Sequence, residues 1–560
     1  MGFRPEAAHL TGAGVGLMVG AVSQVDLLIE HGLIVDGSRI RPPFRADLAV
    51  SEGRVSRVGD CSGTAAEREI DALGLMVAPG FIDMHSHSDL ALLVNPLAES
   101  KVRQGVTTEV IGNCGYSPAP VNEATLELLK REHRPLTDEV SWEWTSFSEY
   151  TGYLQGRGIA VNVAPLVGNG TLRIAAMGFE SRTPTDRELE DMKQLLAESM
   201  EAGAFGLSSG LIYAPSCYAD TEELIELAKV AAQFGGLYAS HIRGEGPELL
   251  KAVAEAITIG REAHLPAEIS HHKAHGRPNW GLVKDSLALI DEARREGLDV
   301  TCDVYPYTAG STGLDACFPP WAHEGGVEKL MERLREKETR QRVTRDIKEG
   351  IPGWGNPARD AGWESIVISR LDQNPALEGK SVATIAAERG RDSLDTAYDL
   401  LLEGEGSVSI IVFAMRPEDV ETVIRHPASM IGTDGSSLAP YGTLGRGKPH
   451  PRNYGTYPRV LQTYVREKQA LSWEEAVWKM AGLPAAKLGL ADRGVIKVGA
   501  YADLVLFNPE TVAERGTYEN PHQYPVGIDY IIVNGQVVIE RGEHTKALPG
   551  RVLKPARGLS

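Results

Sequence analysis

Five short segments combine residue types that can hold a metal or move a proton. They are His85-Ser86-His87-Ser88-Asp89, Gly112-Asn113-Cys114-Gly115, Ser240-His241-Ile242-Arg243, Ser270-His271-His272-Lys273 and Gly432-Thr433-Asp434-Gly435. Neutral imidazoles and a thiolate favour zinc among the common metals. A carboxylate beside such a centre can bind the metal, move protons, or both. Singly, each signal is weak. A His pair is often structural, a free cysteine is more often a buried and inert one, and Thr-Asp-Gly is a common turn.

Their setting gives them weight. Each segment closes an apolar run that reads as a short strand: LMVAPGFID before His85, VTTEVIG before Cys114, then GLYASHI, AEISHHK and SMIGTDG. Residues i and i+2 of a strand share a face, so His85 and His87 point the same way. The same parity groups His271 with Lys273 and sends His272 to the other face, while His275 falls on a loop without a role. Three further runs (IAVNVAPLVG, FGLSSGL, DVTCDVYPY) bring the strands to eight, with amphipathic helices such as 186–203 and 221–235 between them. Strand–helix alternation at this spacing means parallel strands with crossover helices. Polar residues at the strands' C-terminal ends favour an α/β fold of the TIM-type (β/α)8 barrel, whose closure gathers those ends around one centre. No GxGxxG or GxxxxGK[ST] opens the first unit, which leaves nucleotide-binding folds without support.

The flanks read differently. Residues 24–75 and 486–545 hold short strands and turns, including an Asn-Gly hairpin signal at 534–535. Neither half has enough strands alone, so the expectation is one small β-sandwich domain built from both chain ends. The barrel then occupies 76–485. The stretch 313–425, charged and helical over 327–350, is too long for one βα connection, and residues 313–375 read as part of an inserted subdomain near the barrel mouth. Residues 1–23 read as a tail.

The formal net charge of −19 argues against nucleic acid and against an anionic membrane surface. One or two local Arg or Lys residues could still hold a substrate carboxylate. The five cysteines provide no disulfide framework and make the cytoplasm the default location. No apolar run reaches the roughly 18–20 residues that span a bilayer.

The segments H-S-H-S-D, G-N-C-G, S-H-I-R, S-H-H-K, T-D-G and G-K-P-H-P-R (447–452) resemble the D-aminoacylase (N-acyl-D-amino-acid deacylase) family of the amidohydrolase superfamily. The likeness runs from about residue 24 to 545 and takes in GVTTEVIGNCGYSPAP, GLSSGLIYAP and DVYPYTAGST. It implies zinc-dependent hydrolysis of a small N-acyl-D-amino acid. It implies that Cys114, His241 and His271 hold a tight Zn2+, that His85 and His87 line a weaker or vacant second site, and that Asp434 is general base and acid. It also implies that Lys273, Tyr305, Ser311, Thr312 and Arg452 hold the substrate carboxylate or acyl group. Related hydantoinases and dihydroorotases bridge two metals with a carboxylated Lys; residues 161–215 here hold only Lys193, in a helical stretch. Residues 313–328 hold no Lys or Arg, which leans toward neutral or apolar D-side chains. A dipeptidase for a C-terminal D-residue, a cyclic-amide hydrolase and a non-catalytic scaffold are the competing readings.

Overall fold

The computed structural model describes residues 24–133 and 136–556; the tail read over residues 1–23 lies outside them. Eight parallel strands form a barrel in chain order. They are Phe81–Asp83, Val106–Ile111, Asn162–Pro165 continuing as Val167–Gly168, Gly206–Gly210, Leu237–His241, Ala267–Ile269, Val300–Val304 and Ser429–Ile431. All of their residues are buried, as expected for strands covered by helices on one side and barrel interior on the other. The ring closes where the eighth strand meets the first. Asp434 N donates to His85 O at 2.8 Å, His87 N donates to Gly435 O at 2.9 Å, and Ser86 bridges Gly435 in parallel.

The helices follow their sequence signals. Asp186–Ala202 buries Met192, Leu196 and Met200, one apolar residue per turn, and starts in a capping box between Thr185 and Glu188. Val283–Arg295 buries Val283, Leu287, Ile290 and Ala293 on the same stripe logic.

Strands from both chain ends join into one hydrogen-bonded sheet of nine. Its centre is Met76–Pro79, which pairs antiparallel with Leu504–Phe507 and parallel with Val25–Ile34. Only Gly80 separates Met76–Pro79 from the first barrel strand. A Cβ there would lie 2.2 Å from Thr107 Oγ1, so the close passage from one sheet to the other requires glycine.

Between barrel strands seven and eight the chain makes a long excursion. It builds a separate antiparallel sheet of Ala309–Gly313, Ser409–Phe413 and Ile366–Arg370, with helices that include Val327–Arg335, Lys337–Glu349 and Pro357–Ala361. Strand pairing therefore ties 309–313 and 409–413 to the segment 313–375, and the excursion takes in more chain than the insertion read over 313–375. Among the described residues no helix is long and apolar enough to cross a membrane.

Candidate active site

The chemistry begins at or just past the ends of the barrel strands, and tight turns aim several of the side chains. Cys114, His271 and Asp434 all take positive φ, at 54°, 35° and 49°. For residues with a Cβ this conformation costs on the order of 1–3 kcal/mol and persists only where the surroundings enforce it. His271 therefore leaves strand geometry two residues past Ile269. It still shares a side with Lys273, whose Nζ lies 2.9 Å from His271 Nδ1, while His272 Nε2 turns away to Ser286 Oγ at 2.8 Å.

His85, Cys114 and His271 offer three ligand atoms within 4.8 Å of one another, and His241 stands beside Cys114. Cys114 Sγ lies 3.3 Å from His85 Nε2, 3.7 Å from His271 Nε2 and 3.8 Å from His241 Nδ1. Zinc–sulfur and zinc–nitrogen bonds of about 2.3 and 2.0–2.1 Å at tetrahedral angles place S and N ligands about 3.5 Å apart. The cluster fits such an ion on spacing and donor type. His241 turns its Nδ1 edge to Cys114, and its buried Nε2 has no hydrogen-bond partner among the described residues. A second group adjoins it: His87 Nε2 and His85 Nε2 lie 3.0 and 3.6 Å from Asp434 Oδ1.

A cavity of about 260 Å³ opens beside these groups. His87, Cys114, His241, His271 and Asp434 line it together with Lys273, Tyr305, Ser311, Thr312 and Arg452. His85 sits behind, fully buried. Arg452, at the start of the helix Arg452–Arg459, pairs its Nη1 with Asp434 Oδ2 at 2.7 Å. The Tyr305 ring is 4.8 Å from the Arg452 guanidinium and 5.7 Å from Lys273 Nζ, so it keeps the two cations apart. Thr312 shares a 3.0 Å hydrogen bond with Tyr213, and Ser311 Oγ donates to Ile410 O.

The amidohydrolase family model matches residues 68–539. The D-aminoacylase of Alcaligenes xylosoxydans xylosoxydans is 39% identical over 94% of this chain and 97% of its own length. The N-acyl-D-aspartate deacylase of the same organism is 36% identical over 96% and 97%. Among solved structures, N-acyl-D-glutamate deacylase from Bordetella bronchiseptica, complexed with zinc and a phosphonate mimic of the tetrahedral intermediate, superposes with a TM-score of 0.78. It is 36% identical and is matched over 95% of this chain and 100% of its own. The chain belongs to the amidohydrolase family, in its D-aminoacylase branch.

In this amidohydrolase the cluster's charges support one another. Burial pushes the Cys114 thiol up, but the surrounding imidazoles, His85 first, pull it well below its ordinary value, which favours a thiolate ligand. Burial likewise disfavours charge on Asp434, yet Arg452 and the neighbouring histidines hold its carboxyl well below the usual range. Asp434 is therefore ionised.

Several contributing residues carry no motif. Asp303, at the end of the seventh strand, lies 3.3 Å from His85 Nδ1 through Oδ2 and accepts from His271 N at 2.9 Å through Oδ1. Glu245 lies 3.0 Å from His271 Nδ1 and pairs with Lys273. Carboxylates behind metal-ligating histidines fix ring orientation and tautomer. Below the mouth, fully buried Lys101 donates to Asp83 Oδ2, Thr433 Oγ1 and Gly435 O at 2.6, 2.8 and 2.9 Å, which pins the turn that presents Asp434. A buried acid at a strand end is the sequence signal that points to Asp303. Glu245 sits in a loop run, Arg243-Gly244-Glu245, that reads as ordinary surface charge. Lys193 lies on the helix Asp186–Ala202 and pairs with Glu226 at 2.6 Å.

Proposed function

We propose that this amidohydrolase cleaves the amide bond of N-acyl-D-amino acids, releasing a carboxylate and a free D-amino acid. The observation that carries the reading is that the imidazole–thiolate cluster and Asp434 open into the same cavity as two cations and two hydroxyls suited to an α-carboxylate. The relatives named for D-aminoacylase, N-acyl-D-aspartate and N-acyl-D-glutamate deacylation support it.

Cys114, His241 and His271 would hold a tight zinc, and His85, His87 and Asp434 a weaker second position. A zinc ion held there would supply polarisation of the amide carbonyl and a lower pKa for water, from about 15.7 toward 7. Asp434, kept ionised by Arg452, takes the proton of the attacking water and later delivers it to the leaving amine nitrogen. Lys273 and Arg452 give charge-assisted hydrogen bonds to the α-carboxylate. Tyr305 between them limits water access, while Ser311 and Thr312 supply polar contacts on the facing wall. A held carboxylate, a fixed acyl carbon and a side-chain pocket are three contact points, enough to sense chirality. The five free cysteines support a reducing, cytoplasmic setting.

The test is amine release from N-acetyl-D- and N-acetyl-L-methionine, with zinc measured on the same sample. D-selective release that stops on chelation and returns with zinc is expected. Zinc-loaded enzyme that releases nothing from any N-acyl-D-amino acid contradicts the reading.

A further inference from the structure

The cavity that holds the reacting groups contains two basic side chains, and each is already paired: Lys273 with Glu245 and Arg452 with Asp434. A substrate's α-carboxylate would occupy both. His275, which also lines the cavity, is held neutral by burial, its pKa driven down to about 4. Much of the remaining wall is apolar or glycine, including Ile212, Gly244, Gly246, Gly355, Pro357 and Val412.

One charged group on that wall is not matched in this way. Asp360 comes from the helix Pro357–Ala361 of the inserted segment, whose N-cap Asn356 accepts from Ala358 N and Arg359 N. Its side chain is only 9% exposed. Oδ1 has a long 3.5 Å contact to Arg359 Nε, and Oδ2 has no hydrogen bond among the described residues. The carboxylate is wedged against glycines on the loops after barrel strands five and six. A Cβ on Gly246 would lie 2.7 Å from Asp360 Oδ2, and one on Gly276 would lie 2.6 Å from Asp360 O. Both glycines leave room for this acid at the cavity wall.

We infer that Asp360 sets side-chain selectivity, so that the pocket takes N-acyl-D-amino acids with uncharged or cationic side chains and turns acidic ones away. The inference rests on the deacylase reading. An acidic side chain would bring a second negative charge beside a poorly compensated carboxylate, out of bulk water where charges interact more strongly. It would find no unpaired cation there in return. A cationic side chain would gain from the same field.

The experiment compares kcat/KM for N-acetyl-D-methionine, N-acetyl-D-glutamate and N-acetyl-D-lysine in the wild-type zinc enzyme and in Asp360→Asn. The wild type should prefer D-methionine and D-lysine to D-glutamate. In Asp360→Asn the glutamate-to-methionine ratio should rise roughly tenfold and the lysine-to-methionine ratio fall roughly tenfold, the size expected from removing one nearby charge. Asp360→Ser, which removes the charge with a smaller side chain, should move both ratios in the same directions. A purely structural role would lower all three substrates together and leave the ratios fixed, which overturns the inference. Hydrolysis of D-glutamate as fast as D-methionine by the wild type overturns it as well. If none of the three substrates turns over, the inference is overturned, and only release from no N-acyl-D-amino acid at all overturns the deacylase reading as well.

Discussion

One wall of the active-site cavity is rooted in barrel strands, whereas the wall facing it comes largely from the excursion between strands seven and eight. On the first, Cys114, His271 and Asp434 are held at positive φ and backed by buried carboxylates and by Lys101. On the second, Ser311, Thr312 and Asp360 stand on a short antiparallel sheet and a five-residue helix. The difference teaches where strain can be stored. A closed ring of strands with a buried ionic network enforces conformations that loops alone would relax. On the proposed reading, the inserted wall would carry the contacts that distinguish one substrate from another, apart from the residues of the chemistry.

Removing Lys101 should break that contrast most severely. Lys101→Met leaves Asp83 and Glu109 buried without their cation, and loss of one partner of a buried pair costs about 3–5 kcal/mol. The midpoint of chemical denaturation should fall accordingly, with activity lost in proportion to folded protein or faster. An unchanged midpoint would mean that the network does not support the mouth.

Asp303→Asn should act on the same wall more gently. The His85 and His271 partners remain in place but lose their charge, and changes of this kind weaken metal binding about 10–100-fold. Zinc competition with a chromophoric chelator reads this directly.

On the inserted wall, Thr312→Val removes the hydroxyl that meets Tyr213. A net loss near 1 kcal/mol corresponds to a KM increase of about fivefold with kcat little changed. A fall in kcat at constant KM would instead place Thr312 in the chemical step.

The last effect bears on stability alone and lies away from the mouth. Burial drives the Lys479 ammonium down to about 8, although it donates to Ser429 O at 3.1 Å. The unfolded chain, with a normal lysine near 10.4, binds the proton more readily between those values. Stability from this group is complete above the unfolded value and lost as pH falls through 8. Unfolding free energy should therefore rise between about pH 8 and 10 relative to Lys479→Met, by no more than about 1.4 kcal/mol per pH unit.

The barrel was legible in the sequence because its strands are short, apolar and separated by amphipathic helices, and because polar segments recur at one end. That regularity led to Cys114, His241, His271 and Asp434. The reason for the grouping of His271 with Lys273 was not legible: the backbone turns at positive φ rather than continuing a strand. Arg452 was reached through family resemblance alone, since it starts a helix and follows no strand end. Its pairing with Asp434 was not legible, and neither were Glu245 and Asp360 or the partners of Asp303, which only its place near a strand end marked. Each acts through a partner distant in sequence, and no local pattern marks such a pair. The inserted wall showed only as excess length and charge, because strands 309–313 and 409–413 pair across nearly a hundred residues.

The most direct test of the chemistry is zinc content and turnover measured together in Asp434→Asn. Zinc at near-wild-type stoichiometry, held by Cys114, His241 and His271, should accompany a loss of kcat of about 10²–10⁴-fold, the range for removing a general acid–base group. Turnover near the wild-type rate in the zinc-loaded variant would contradict Asp434 as the proton carrier. Complete loss of zinc would contradict the assignment of the tight site to the other three residues.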